Sequence, residues 1–210
     1  MDEGFMNLIA KADAGDVEAM VMVGDCYNLG FHADKDDFKA QTYYKMAADK
    51  GHAAAAFMVG LGYLFGTGVK KDKANAIKYI QDAAVKGFAN AQHMMGMMYQ
   101  AGEIGAFFKK QNAVKYYKMA AQQGHAKAQF ELGKIYLLDW SHGNTRRFDD
   151  GLFWMVCAAM HTSKKSSEIS TKAKNLIDDT MINRGYPTES IKRVIEKIKR
   201  NYPNYIVDPD

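Results

Sequence analysis

The chain has little of what several function classes need. Of its 210 residues only 2 are cysteine, Cys26 and Cys157, and they lie 131 positions apart. That is not the disulfide framework of a small secreted domain, and neither cysteine belongs to a CxxC pair. There are 3 prolines, and two of them, Pro203 and Pro209, fall in the last eight residues. No stretch approaches 18 consecutive apolar residues, so no membrane-spanning helix is expected. The start, MDEGFMNLIAKADAGD, carries Asp2 and Glu3 where a signal peptide needs basic residues, and it lacks an apolar core. A cytoplasmic protein is the expectation, with secretion by a signal-independent route left open. Neither sign of charge dominates: 28 basic and 24 acidic residues leave a net +4. A dedicated nucleic-acid binder would show a denser basic patch, so nucleic acid is not the expected partner. The apolar fraction of 48% is enough to build a core, which excludes a disordered chain.

What is present is a repeat. Gly15, Gly51, Gly87 and Gly124 recur at spacings of 36, 36 and 37. Gly24, Gly60, Gly96 and Gly133 follow nine residues after each, and Tyr27, Tyr63, Tyr99 and Tyr136 three after those. Ala47-Ala48, Ala83-Ala84, Ala120-Ala121 and Ala158-Ala159 close the units. Tyr43, Tyr79, Tyr116 and Trp154 give one aromatic before each pair. Five registers agreeing over four units are not chance.

Each unit reads as two helices. In the first, Ala19, Val23, Gly24 and Tyr27 stand at offsets 0, 4, 5 and 8, which share one helical face. A mid-helix glycine costs about 1 kcal/mol against alanine, so its return in every unit implies close approach of a neighbouring helix. The second helix ends in the small alanine pair, and Gly51 supplies the left-handed residue that stops it.

These residues resemble the Sel-one-like repeat, a relative of the tetratricopeptide repeat. The second unit carries the pattern nearly whole: Ala55, Val59, Gly60, Tyr63, Gly66, Gly68, Val69, Asp72, Ala76, Tyr79, Ala83, Ala84 and Gly87. Units one and three depart from it in the loop between the helices, and unit four has a longer loop and Gly151 in place of an alanine. The resemblance implies an all-α fold, a right-handed α-α superhelix (solenoid) of about four repeats with helical caps. The expected divisions are a capping helix over 1–14, repeats over 15–50, 51–86, 87–123 and 124–162, and capping helices with a tail over 163–210. Over 163–184, Ile169, Ala173, Leu176, Ile177 and Met181 are expected to face inward. A last helix is expected to carry Ile191, Val194, Ile195 and Ile198.

No catalytic constellation is visible, so the chain is not expected to be an enzyme, and neither a cofactor nor a metal is expected. His52 and His125 take the same repeat position, directly after the capping glycine, which marks them as structural. His93 stands in a slot that other units fill with Val21, Phe57 and Phe130. Asp36-Asp37 and Asp149-Asp150 read as helix starts, where acidic residues favour the helix dipole.

Surface is what remains. In a solenoid of this kind the first helices line the concave side. Offsets 3 and 6 of those helices should face outward, placing Met58, Leu61, Met94 and Met97 in solvent in the middle repeats. Met22 and Asp25 hold such positions in repeat one, and Glu131 and Lys134 in repeat four. An exposed apolar patch rimmed by charge marks a partner site, and methionine suits adaptable contact surfaces. The competing reading has these methionines in the core, as expected for Met95 and Met98. Trp140, Arg146 and Arg147, in or beside the longest loop, are possible further contacts. The expected function is a non-enzymatic scaffold or adaptor that binds a protein or peptide on the concave face. The alternatives are an immunity protein that neutralises a toxin enzyme, or a secreted effector in host interaction. The partner's identity and the oligomeric state are open, with a monomer favoured.

Overall fold

The structure is a computed structural model that describes residues 3–105, 109–141, 147–161, 167–184, 192–194, 196 and 200, with the backbone alone for 139–141 and 180–184. Ten helices follow in order among the described residues: α1 (Glu3–Asp13), α2 (Val17–Leu29), α3 (Asp37–Asp49), α4 (Ala53–Phe65), α5 (Lys73–Val85), α6 (Ala89–Gln100), α7 (Lys109–Gln122), α8 (Ala126–Ser141), α9 (Phe148–Ala159) and α10 (Ser167–Arg184). No strand occurs among the described residues. The all-α array of paired helices is the architecture the repeat implied.

The sequence writes the helix ends explicitly. Asp16 caps α2 by accepting the Ala19 N–H at 3.0 Å. Asp36 and Asp72 do the same for α3 and α5, accepting from Lys39 at 2.9 Å and Asn75 at 3.0 Å. Those backbone hydrogen bonds favour the ionised carboxylate and lower the pKa of both aspartates. The repeated histidines are caps as well. His52 Nδ1 accepts the Ala55 N–H at 3.1 Å, and His125 Nδ1 accepts the Ala128 N–H at 3.2 Å. At the other end, Gly51 turns left-handed at φ 98°. The next N–H, that of His52, then donates to the Ala47 carbonyl at 3.0 Å, satisfying a group the helix end would leave open.

Two compact units, Met1–Met95 and Gly96–Asp210, are described separately. In the first, the glycines in mid-helix receive a side chain from the second helix of the same repeat. A Cβ on Gly24 would lie 2.7 Å from the Tyr44 ring, and one on Gly60 would lie 2.7 Å from Ile80 Cγ1. Tyr44 and Ile80 are wholly buried. The repeat tyrosines stack in pairs, Tyr27 on Tyr43 with centroids 6.1 Å apart and Tyr63 on Tyr79 at 5.8 Å. The alanine pairs lie in the core, and Gln92 reaches back to donate to the Ala84 carbonyl at 3.0 Å. Phe5 and Ala12 of α1 are buried, with Phe5 edge-on to Tyr27 at 5.5 Å.

The second unit repeats the plan. Tyr117 packs on Gly96 and Met155 on Gly133, Tyr99 stacks on Tyr116 at 5.7 Å, and Gln129 donates to the Ala121 carbonyl at 3.1 Å. Of the expected inward face of α10, Ala173 is buried, and Ile169, Leu176 and Ile177 pack against the same core; the Met181 side chain lies outside the described residues. Val194 of the expected last helix is buried in that core too. Ile191, Ile195 and Ile198 lie outside the described residues.

Candidate functional site

The outward-facing register of the first helices separates from the core by one position. In the first unit, Met22 on α2 is 53% exposed between buried Met20 and Val23. Met58 and Leu61 on α4 are half-buried, each beside a buried residue, Val59 and Gly60. Met94 on α6 is half-buried next to fully buried Met95. Asp25 is exposed, and its carboxylate accepts the Tyr44 O–H at 2.7 Å, so one oxygen is engaged by the core.

In the second unit, Met97 is 47% exposed while Met98 beside it is buried. Glu131 and Lys134 of α8 are partly exposed and pair with each other at 3.0 Å. The Lys134 ammonium also lies 5.3 Å from the centroid of the Phe130 ring. A surface pair of this kind contributes about 0–1 kcal/mol, so little of its interaction energy must be given up to meet a partner. Trp140 lies in the last turn of α8, with its side chain outside the described residues, as is all of Arg146. Arg147 directly precedes α9, and its guanidinium sits 4.6 Å from the Tyr136 ring centroid. Such a contact contributes about 0.5–1 kcal/mol at an exposed site.

The perturbed ionisable groups follow from packing. Cys157 is buried, and burial pushes its thiol up to about 12, the reverse of what an attacking thiolate needs. Burial raises Tyr44 and Tyr117 above the usual tyrosine range, helped in each case by a nearby carboxylate, Asp25 or Glu131. Burial lowers His161, whose Nε2 meets Gln129 Oε1 at 2.9 Å. Among the described residues no group of three or more His, Cys, Asp or Glu could hold a metal ion. None of their helices is long and apolar enough to cross a membrane.

Met22, at the outward offset of repeat one beside Asp25, carries the exposed methionine register into that repeat. One surface feature escapes the sequence reading. Leu29, Phe31, Phe38 and Phe65 are 63–74% exposed and gather at helix ends and loops in the first unit. Leu29 and Phe65 share one repeat position, and that recurrence is the signal that could have found them.

The Sel1 repeat family model matches residues 17–52, 53–87, 89–125 and 126–163. The chain belongs to the Sel1 repeat family. Sel1 repeats generally mediate protein–protein interaction, and the fold is typically a non-enzymatic scaffold. Among solved structures, the chain is similar to a Sel1 repeat protein from Oxalobacter formigenes, with 26% identity and a TM-score of 0.67 over 90% of this chain and 74% of that one. It is also similar to c5321, a protective antigen of uropathogenic Escherichia coli displaying an SLR fold, with 28% identity and a TM-score of 0.73. There it covers 95% of this chain but 40% of that one. The immunity protein Pa5087 of Pseudomonas aeruginosa aligns with 96% of this chain and 73% of its own at 19% identity and a TM-score of 0.49, a likeness that carries no argument about this chain. No curated protein matches the chain.

Proposed function

We propose that this Sel1 repeat protein is a non-enzymatic scaffold that holds a protein or peptide against its first helices. The supporting observation is the methionine register. Met22, Met58 and Met94 occupy one position in three successive repeats, and each reaches solvent while its neighbour in the core does not. A side chain that is half-buried already has part of its ordering cost met, and a partner need desolvate the remainder. Covering the rest of such a side chain contributes about 25 cal/mol per Å² of apolar surface. Met58, Leu61 and Met94 serve as the apolar contacts of the first unit, with Asp25 as a charged contact. Met97, Glu131 and Lys134 serve in the second. Methionine's three rotatable bonds let such a surface follow different contours.

The test is an affinity capture from lysate of the source organism with wild type and with a variant carrying Met58→Gln, Leu61→Gln, Met94→Gln and Met97→Gln. Circular dichroism first establishes that both are helical and melt cooperatively. The proposal predicts a protein retained by wild type and lost by the variant. Equal recovery by both would move the site elsewhere.

A further inference from the structure

We propose a second docking site, independent of the methionine register: the groove at the α4–α5 loop, which takes an acidic peptide segment bearing a large apolar side chain. The groove has a volume of about 1020 Å³ and is open to solvent. Phe38, Tyr63 and Val69 form its apolar part, and Lys70 and Lys71 stand on its rim. Phe38 is 69% exposed, and Phe65, next in the chain to the lining residue Gly66, is 68% exposed. The bare Phe38 ring, with Tyr63 and Val69 beside it in the lining, is apolar surface for a partner to cover. The site is built from two repeats, because the loop packs on the start of α3: a Cβ on Gly68 would collide with the Asp37 carbonyl. Small-molecule pockets run to roughly 1,000 Å³ and are mostly concave enclosures, so an open groove of this size suits a length of peptide.

Charge selects the occupant. Lys70 and Lys71 are exposed, and neither has a carboxylate within ion-pair distance among the described residues. The one carboxylate in the lining, Asp72, is turned to the helix: it accepts the Asn75 N–H at 3.0 Å and the Asn75 side-chain amide at 2.8 Å. The groove therefore offers two positive charges with no carboxylate partner beside the exposed Phe38 ring. The equivalent loop of repeat one is an internal contrast. Its groove of about 620 Å³ is lined by Lys35 and Lys39, but these pair with Asp37 at 3.4 Å and Asp36 at 3.5 Å, and Lys39 also lies over the Tyr27 ring. Repeat one is electrostatically closed where repeat two is open.

The probes are two fluorescein-labelled, end-blocked hexapeptides, Glu-Glu-Phe-Leu-Glu-Glu and Lys-Lys-Phe-Leu-Lys-Lys, followed by fluorescence anisotropy against the full chain. The acidic peptide should bind saturably and the basic one should not. Lys70→Glu with Lys71→Glu should weaken binding at least tenfold, and so should Phe38→Ser, whereas Lys35→Glu with Lys39→Glu should change it less than twofold. Circular dichroism should be unchanged in all three. No saturable binding, equal binding of both peptides, or equal loss in the repeat-one variant would overturn the proposal. So would a wild-type dimer in sedimentation that Phe38→Ser abolishes without any peptide bound, which would assign the groove to a second copy of the chain. The methionine variant should bind the acidic peptide as wild type does, so the two sites stand or fall separately.

Discussion

Replacing Gly60 by alanine tests whether the mid-helix glycines are there for close approach. In an exposed helix the change would stabilise by about 1 kcal/mol, because alanine is the better helix former. Here the added methyl would lie 2.7 Å from Ile80 Cγ1, 3.1 Å from the Ile80 backbone nitrogen and 3.2 Å from the Ala76 carbonyl oxygen. A rotamer change of Ile80 could relieve the first contact alone. The other two are backbone, so α4 and α5 must separate by a few tenths of an ångström around the fully buried Ile80. Overpacking of this kind costs about 1–3 kcal/mol. Set against the propensity gain, the net should be a destabilisation of up to about 2 kcal/mol. At this chain length that is a fall in Tm of roughly 2–4 °C per kcal/mol. The assay is urea unfolding followed by circular dichroism at 222 nm, read at the midpoint with the slope unchanged. A midpoint above wild type, as the propensity gain alone would give, would refute the packing argument.

Other outcomes follow from the same structure. Cys157 should resist a thiol reagent in the folded protein at pH 8 and react once urea unfolds it, since burial holds its pKa near 12. In a spectrophotometric titration at 295 nm, Tyr44 and Tyr117 should lag behind the other tyrosines. Their folded pKa is raised, so the fold loses stability as pH climbs past their ordinary value of 10.0, where the unfolded chain ionises first. His161 is the opposite case. Its folded pKa is lowered, so its contribution is present above the ordinary value of 6.5 and is lost as pH falls below it; His161→Gln should flatten the stability profile between pH 7 and 5. His125→Ala should cost about 1 kcal/mol through loss of the α8 cap, and His125→Ser should recover most of it.

Periodicity carried the fold because each repeated residue has one local job. Gly51 and its equivalents need a positive φ, the alanine pairs need small volume, and Gly24 and Gly60 need a missing Cβ. Each job leaves a residue type at a fixed spacing. The same spacing marked His52 and His125 as structural without showing that they cap, because the cap lies in ring orientation rather than in period. The tyrosine stacks were invisible for a similar reason: Tyr27 and Tyr43 lie on different helices, and their offsets do not state that the rings are parallel. For the candidate site, spacing separated Met94 from Met95 and Met97 from Met98. It could not grade exposure, which leaves Met58 and Leu61 half-buried but Met97 nearly half exposed. Phe31, Phe38 and Phe65 sit at helix ends, where a helical period no longer says which way a side chain faces.

A photo-crosslinking amino acid placed at Met58, and separately at Val85, which is 69% exposed on the second helix of the same repeat, tests the central claim most directly. With each labelled protein irradiated in the lysate, the account predicts a discrete crosslinked partner from position 58 and none from position 85. A partner captured from position 85 and not from position 58 would contradict it.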